Sequence, residues 1–279
     1  MGSVHYDIQR CVSIARNLIG YVMVQNEAMV DGLPTHLSFQ VLIDAVVEIR
    51  FNAKQGVADL LPGLLHSLFP EKPRVERLPL ADVPHQVRMM QPEFSNQPIV
   101  RLIWSTHTIF IGDGVLGVAS GLPYQGWAKF REIISAVGNF SVIQDIIGVP
   151  NRISVKYVDF LPDHRFPGLE NKLNWHVSVA DEVINGSQIA LRSERETHEY
   201  ICFMEVLSPA QIEVVEGNMG RESGTLVSFD LIKLLPNVPS WEVFLEIFHS
   251  QVDFLHLECK KKFFACLSEG AKKILMPEQ

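Results

Sequence analysis

Twice along this chain a series of strand-like segments gives way to an apolar stripe at helical spacing, and that repeated change of period limits the folds it can adopt. The first stripe is Trp127, Phe130, Ile133, Ile134 and Val137, beginning near Gly126 and stopping at Gly138 or Asn139. The second follows Ser240, a capping residue type, and runs through Val243, Phe244, Ile247, Val252, Leu255, Cys259, Phe263, Cys266, Leu267 and Ile274. Runs of antiparallel strands closed by helices indicate an α+β fold rather than alternating βαβ units. The expected architecture is two tandem units of mainly antiparallel sheet, each closed by a helix, with a long C-terminal helix. The expected segments are an N-terminal extension at 1–37, a first unit at 38–148 and a second at 149–279. The grammar restarts after Gly148-Val149-Pro150.

Within the first unit, Phe39 to Phe51 is rich in β-branched residues and ends with Val47, Ile49 and Phe51 alternating against Glu48 and Arg50, a strand with one polar-lined face. Val57, Leu60, Leu61, Leu64, Leu65 and Leu68 step at helical spacing, and Pro62 with Gly63 makes that helix short or kinked. A proline-studded passage from Pro73 to Pro98 precedes two or three strands that turn at Gly112-Asp113-Gly114. In the second unit, strands are expected at Asn151 to Pro162, Trp175 to Ile184, Ile189 to Arg195, Tyr200 to Leu207 and Thr225 to Leu231, with a turn at Asn185-Gly186.

A chain of 279 residues that is 47% hydrophobic and 20% charged has ample apolar surface to offset chain entropy, which excludes disorder. The formal charge of −8 is the wrong sign for a surface that collects nucleic acid generally, so nucleic acid is disfavoured as a partner. Lys260-Lys261-Lys262 and Lys272-Lys273 read as dipole-favoured charge at the end of one last helix. Cys11, Cys202, Cys259 and Cys266 form no C-x-x-C pair, so no metal is expected, and Cys259 and Cys266 read as reduced core residues. In the extension, Ile8, Cys11, Val12, Ala15, Leu18, Ile19 and Val22 suit an amphipathic helix. The uncharged stretch from Asn17 to Asn26 falls short of the ~20 residues that span a bilayer, and no A-x-A-like cleavage site follows. The expectation is a cytoplasmic protein without a membrane partner, its translation starting at Met1, Met23 or Met29.

Local motifs imitate known chemistry without completing it. Gly112-x-Gly114-x-x-Gly117 has the letters of a dinucleotide fingerprint, but Val118 to Pro123 reads as a strand end and turn where a helix is required, so no cofactor is expected. His198-Glu199-Tyr200-Ile201-Cys202 mimics a zinc-protease motif in a strand-like context, where alternate residues diverge. Two G-x-x-S-G sequences, ending at Ser120-Gly121 and Ser223-Gly224, place serine one position late for a nucleophile elbow and read as turns. Arg192 to Glu199 mixes both signs of charge and reads as a solvated hairpin tip.

The constellation that carries chemistry is Glu48, Arg50, Arg152, Lys156, Asp230 and His256. Glu48 and Arg50 share one face of a strand, as do Arg152, Ser154 and Lys156 on another. If those faces meet, the group is either a salt-bridge network that fixes register or an anion site with an arginine fork and His256 as proton carrier.

Val47-Glu48-Ile49-Arg50-Phe51, Asn151-Arg152-Ile153 with Tyr157, and Phe229-Asp230 followed by Leu255-His256 carry a family resemblance. They resemble the sporadically distributed family of prokaryotic proteins of unknown function in which an E-x-R-F strand opens the domain and an N-R-I-x-x-x-Y strand sits at mid-chain. The resemblance covers about Ser38 to the C-terminus and adds Tyr157 to the candidate residues. Val158-Asp159-Phe160 departs from the more polar, Asn-containing continuation expected after Tyr157. What it implies is a prokaryotic source, an accessory gene and a shared structural plan, with no established activity, cofactor or substrate. The resulting expectation is a non-catalytic binding protein with a protein or other macromolecular partner. The alternative is an enzyme acting on a phosphorylated or carboxylated small molecule at the Arg/Glu/His cluster.

Overall fold

The computed structural model describes residues 29–30, 33–34, 36–52, 56–140, 143–169, 171–180, 182–183, 188–214 and 220–276. Nine strands join in one sheet: β1 (Leu42–Phe51), β2 (Arg74–Arg77), β3 (Val100–Ile103), β4 (His107–Ile111), β5 (Val115–Ser120), β6 (Pro150–Pro162), β7 (Ile189–Glu196), β8 (Ile201–Val214) and β9 (Gly220–Leu234). Their spatial order is β7-β8-β9-β6-β1-β5-β4-β3-β2, and every pairing is antiparallel. The fold is α+β. Residues on both sides of Pro150 therefore share one continuous sheet and one hydrophobic core.

Alternation along the strands decides which face the helices cover. In β1, Ala45, Val47, Ile49 and Phe51 are buried while Asp44, Val46, Glu48 and Arg50 are half-buried on the other face. Ile153, Val155 and Tyr157 of β6 continue the buried face, and further along Val158 and Phe160 are buried as well, so the central strand loses its alternation. Helices α1 (Val57–Leu65), α2 (His85–Met90), α3 (Pro92–Ser95), α4 (Trp127–Gly138), α5 (Ile143–Ile146), α6 (Trp241–Cys266) and α7 (Glu269–Leu275) complete the described elements of regular helix. Pro62 lies inside α1, a short helix that ends at Leu65.

Helices α4 and α6 lie side by side and antiparallel. Trp127 meets His256, Arg131 meets Asp253, Ser135 meets His249, and Gly138 backs onto Phe248, a sequence that rises on one helix as it falls on the other. A side chain at Gly138 would begin 2.6 Å from the Phe248 ring, so glycine there sets how closely the two helices approach.

Several expectations are corrected. The proline-studded passage, to which the sequence pattern assigns no element, contains β2, α2 and α3. The strand expected over Trp175 to Ile184 is only a two-residue pairing of Ser178–Val179 with Glu182–Val183. The last helix breaks after Cys266, where Leu267 adopts extended backbone and the Ser268 hydroxyl accepts from Ala271 N to cap α7. The two lysine runs therefore belong to different helices. Val243 is exposed and Phe248, absent from the expected stripe, is one of the largest fully buried side chains. Ser223-Gly224 sits inside β9 rather than in a turn. The helix expected in the extension and the Asn185-Gly186 turn lie outside the described residues. Within 29–37, Met29–Val30 pairs with Leu33–Pro34 as strands.

Phe248→Ala is expected to lower unfolding free energy by about 3–5 kcal/mol, since it empties a site enclosed by α4 and α6. Denaturant midpoints of the two proteins, at equal m-value, check this.

Candidate functional site

Pairing of β1 with β6 brings Arg50 directly opposite Arg152, two like charges that repel across neighbouring strands. Glu48 resolves the conflict. Its Oε1 accepts from Arg50 Nε at 2.7 Å and lies 3.8 Å from the Arg152 guanidinium. Lys156 stands opposite Val46 on one side and Asp230 of β9 on the other. Five of the expected residues, Glu48, Arg50, Arg152, Lys156 and Asp230, thus lie together on the face turned away from the helices.

Burial governs the titration of this seam. Asp230 is raised to about 6, first by desolvation and further by Glu48, against the lowering influence of Arg152, Lys156 and Arg50. Its Oδ1 is buried and accepts no hydrogen bond among the described residues. Asp44 joins the same face and is also raised by burial, with Lys156 and Arg101 opposing. Sequence reasoning passed over Asp44, although its place four residues before Glu48 on one strand is a readable signal.

Tyr157 and His256 do not belong to this seam. Tyr157 lies on the helix-covered face, where its hydroxyl is 2.6 Å from His256 Nδ1. The His256 ring stacks on Trp127 at a centroid distance of 4.0 Å. Trp127 Nε1 in turn donates to Asp253 Oδ1, which Arg131 holds through Nε at 2.7 Å. Desolvation first, and Lys260 second, lower His256 to about 4, while burial holds the Tyr157 phenol well above its ordinary value. Held between an indole and a phenol, the His256 imidazole lies across the sheet from Arg50 and Arg152. The single cluster expected from sequence is thus divided between the two faces of the sheet.

The remaining motifs resolve into structure. Gly112-Asp113-Gly114 is a hairpin turn leading into β5, and a Cβ on Gly112 would fall 2.2 Å from Gln97 O. Asp113 is fully buried and accepts from Arg88 Nε at 2.8 Å, so the turn serves an internal ion pair rather than a pyrophosphate. Gly117 lies beneath the Phe110 ring, whose atoms would stand 1.9 Å from a Cβ there. Arg192 to Glu196 lie in the edge strand β7 and only Thr197 to Glu199 make the turn. Alternating charge on that edge discourages further strand addition. Cys202, Cys259 and Cys266 are free thiols, and Cys259 Sγ is directed at Val155 O. Among the described residues no group of three or more His, Cys, Asp or Glu could hold a metal ion, and no helix is long and apolar enough to cross a membrane.

No family model matches the chain, and no curated protein matches it.

Buried ionisable groups of both kinds give stability its pH dependence. Asp159 on β6 is raised from an ordinary carboxyl value to about 8 by desolvation. The folded state therefore binds its proton more tightly than the unfolded chain, and stability is lost as pH rises from about 4 to about 8. His107 and His256, both lowered to about 4, act in the opposite sense and cost stability as pH falls below about 6.5. Between pH 5 and 8 the Asp159 contribution alone is expected to cost on the order of 3 kcal/mol, offset in the wild type by the two histidines, so Asp159→Asn is expected to gain about that much stability relative to the wild type over the same interval. Urea melts at both pH values provide the comparison. Arg152→Met is expected to cost about 2–3 kcal/mol because Glu48 and Asp230 lose a shared counter-charge. An unchanged midpoint would remove the seam's structural role.

Proposed function

We propose that this chain is a non-catalytic binding protein that recognises a macromolecular partner through the open face of its sheet, with the charged seam at the centre of the contact. The observation that supports this reading is the asymmetry of the sheet. Helices cover one face, while the other presents half-buried Asp44, Glu48, Arg50, Arg152, Lys156 and Asp230 around the central strand pair. Opposite charges interleaved on a partly desolvated surface favour specificity for a complementary partner, and they disfavour a polyanion such as nucleic acid.

The same reading takes the chain as two tandem units, 38–148 and 149–279. Each opens on a central strand, β1 or β6, and then returns toward it from a sheet edge through a meander, β2-β3-β4-β5 or β7-β8-β9. Each is then followed by a helix, α4 or α6. We further take the protein as a cytoplasmic accessory protein of prokaryotic source, in keeping with its resemblance to the sporadically distributed family.

A photo-cross-linking residue placed at Val46, on the seam, is expected to capture a defined partner in extract of the source cell. The same residue at exposed Ala265 on α6 is expected to capture none, and Arg50→Ala to weaken capture at Val46 at least tenfold while the fold is retained by circular dichroism. Equal capture from both positions would overturn the assignment of the face.

A further inference from the structure

On the helix-covered side, far along β8 and β9 from the ends that carry Asp230, a cavity of about 200 Å³ opens between those strands and the connection that follows β6. Lys172 forms its polar centre. The side chain is 9% exposed, and its ammonium contacts the Asp163 carboxylate and lies 3.5 Å from Thr225 Oγ1. Thr225 is in turn 3.1 Å from Ser208 Oγ. Ser208 owes its place to a bulge, since the β8 register shifts between Leu207 and Ala210 against β9, and Pro209 in that bulge has no N–H to leave unpaired. Trp175 and Val206 supply an apolar wall.

The segment bearing Lys172 is held before any ligand arrives. Ser268 N donates to Lys172 O at 2.9 Å, and Asn174 N donates to Cys266 O at 2.7 Å, so the joint between α6 and α7 clamps both sides of Leu173. A buried ammonium on a fixed backbone, beside two hydroxyls and an indole, is preorganised for an anion with an apolar body. Asp163 differs from its partners in being more than half exposed on a short 3₁₀ turn, Asp163–Arg165. Its carboxylate occupies the position an incoming anion would need and can leave for water.

We propose that this cavity binds a small carboxylate of about six to nine non-hydrogen atoms, whose carboxylate displaces Asp163 from Lys172 while its apolar body lies against Trp175. The volume sets the size, the ammonium and hydroxyls set the charge, and Asp163 acts as an internal competitor that keeps Lys172 paired when the cavity is empty.

Calorimetric titration of the full chain with benzoate, isosteric benzamide and inorganic phosphate tests this. Benzoate is expected to bind one to one, with benzamide and phosphate each at least tenfold weaker. Lys172→Met is expected to abolish the benzoate signal, and Asp163→Asn to tighten it several-fold, which a merely structural Asp163 would not do. Should Lys172→Met fail to fold, as judged by circular dichroism, Thr225→Val and Ser208→Ala report on the same site, each with at least threefold weaker binding expected. Absence of saturable benzoate heat in the wild type, equal affinity for benzamide or phosphate, or affinity unaltered in the folded variants would overturn the proposal.

Discussion

The antiparallel pairing of β1 with β6 is the joint on which the molecule depends. It joins residues on either side of Pro150 into a single sheet, so neither set of strands has an independent edge at the centre. The same pairing forces Arg50 against Arg152 and thereby makes Glu48 necessary. One register thus fixes both the continuity of the core and the composition of the open face. A slip of one residue would turn the arginines into the helix layer and Ile49 and Ile153 into water.

A second layer of order comes from α4 lying along α6. The contact mixes a glycine–phenylalanine close approach with the Arg131–Asp253 ion pair and the Trp127–His256 stack. Apolar packing supplies adhesion, while the directional groups select one rotational setting of the helices. Tyr157 reaches from the sheet to His256, so the central strand and the helix pair constrain each other.

Much of this was legible in the sequence, and the losses have physical causes. Period two over Val47 to Phe51 and Arg152 to Lys156 placed the seam residues on shared faces because one face of β1 is truly half-solvated. The helical stripe Phe130, Ile134, Val137 was equally clear, since α4 buries one side only. Phe248 escaped because α6 is flanked by the sheet and by α4, which widens its buried surface beyond a single stripe. His256 was grouped with the arginines because spacing along a chain says nothing about which side of a sheet a later helix will cover. Lys172 gave no signal at all, as its environment is assembled from a loop, a bulge and a helix joint far apart in the chain.

Ser38 N donates to Leu275 O at 2.8 Å, so the segment leading into β1 and the end of α7 meet at one place. A polymer whose path closes on itself in this way is topologically close to a ring. A short linker between those two points, with a new opening in the Thr197–Glu199 turn, would preserve every pairing of the nine-stranded sheet while bringing β8 and β9 out of the ribosome first and β6 and β7 last. Which strands are made first would then become an experimental variable rather than a fixed property of the gene.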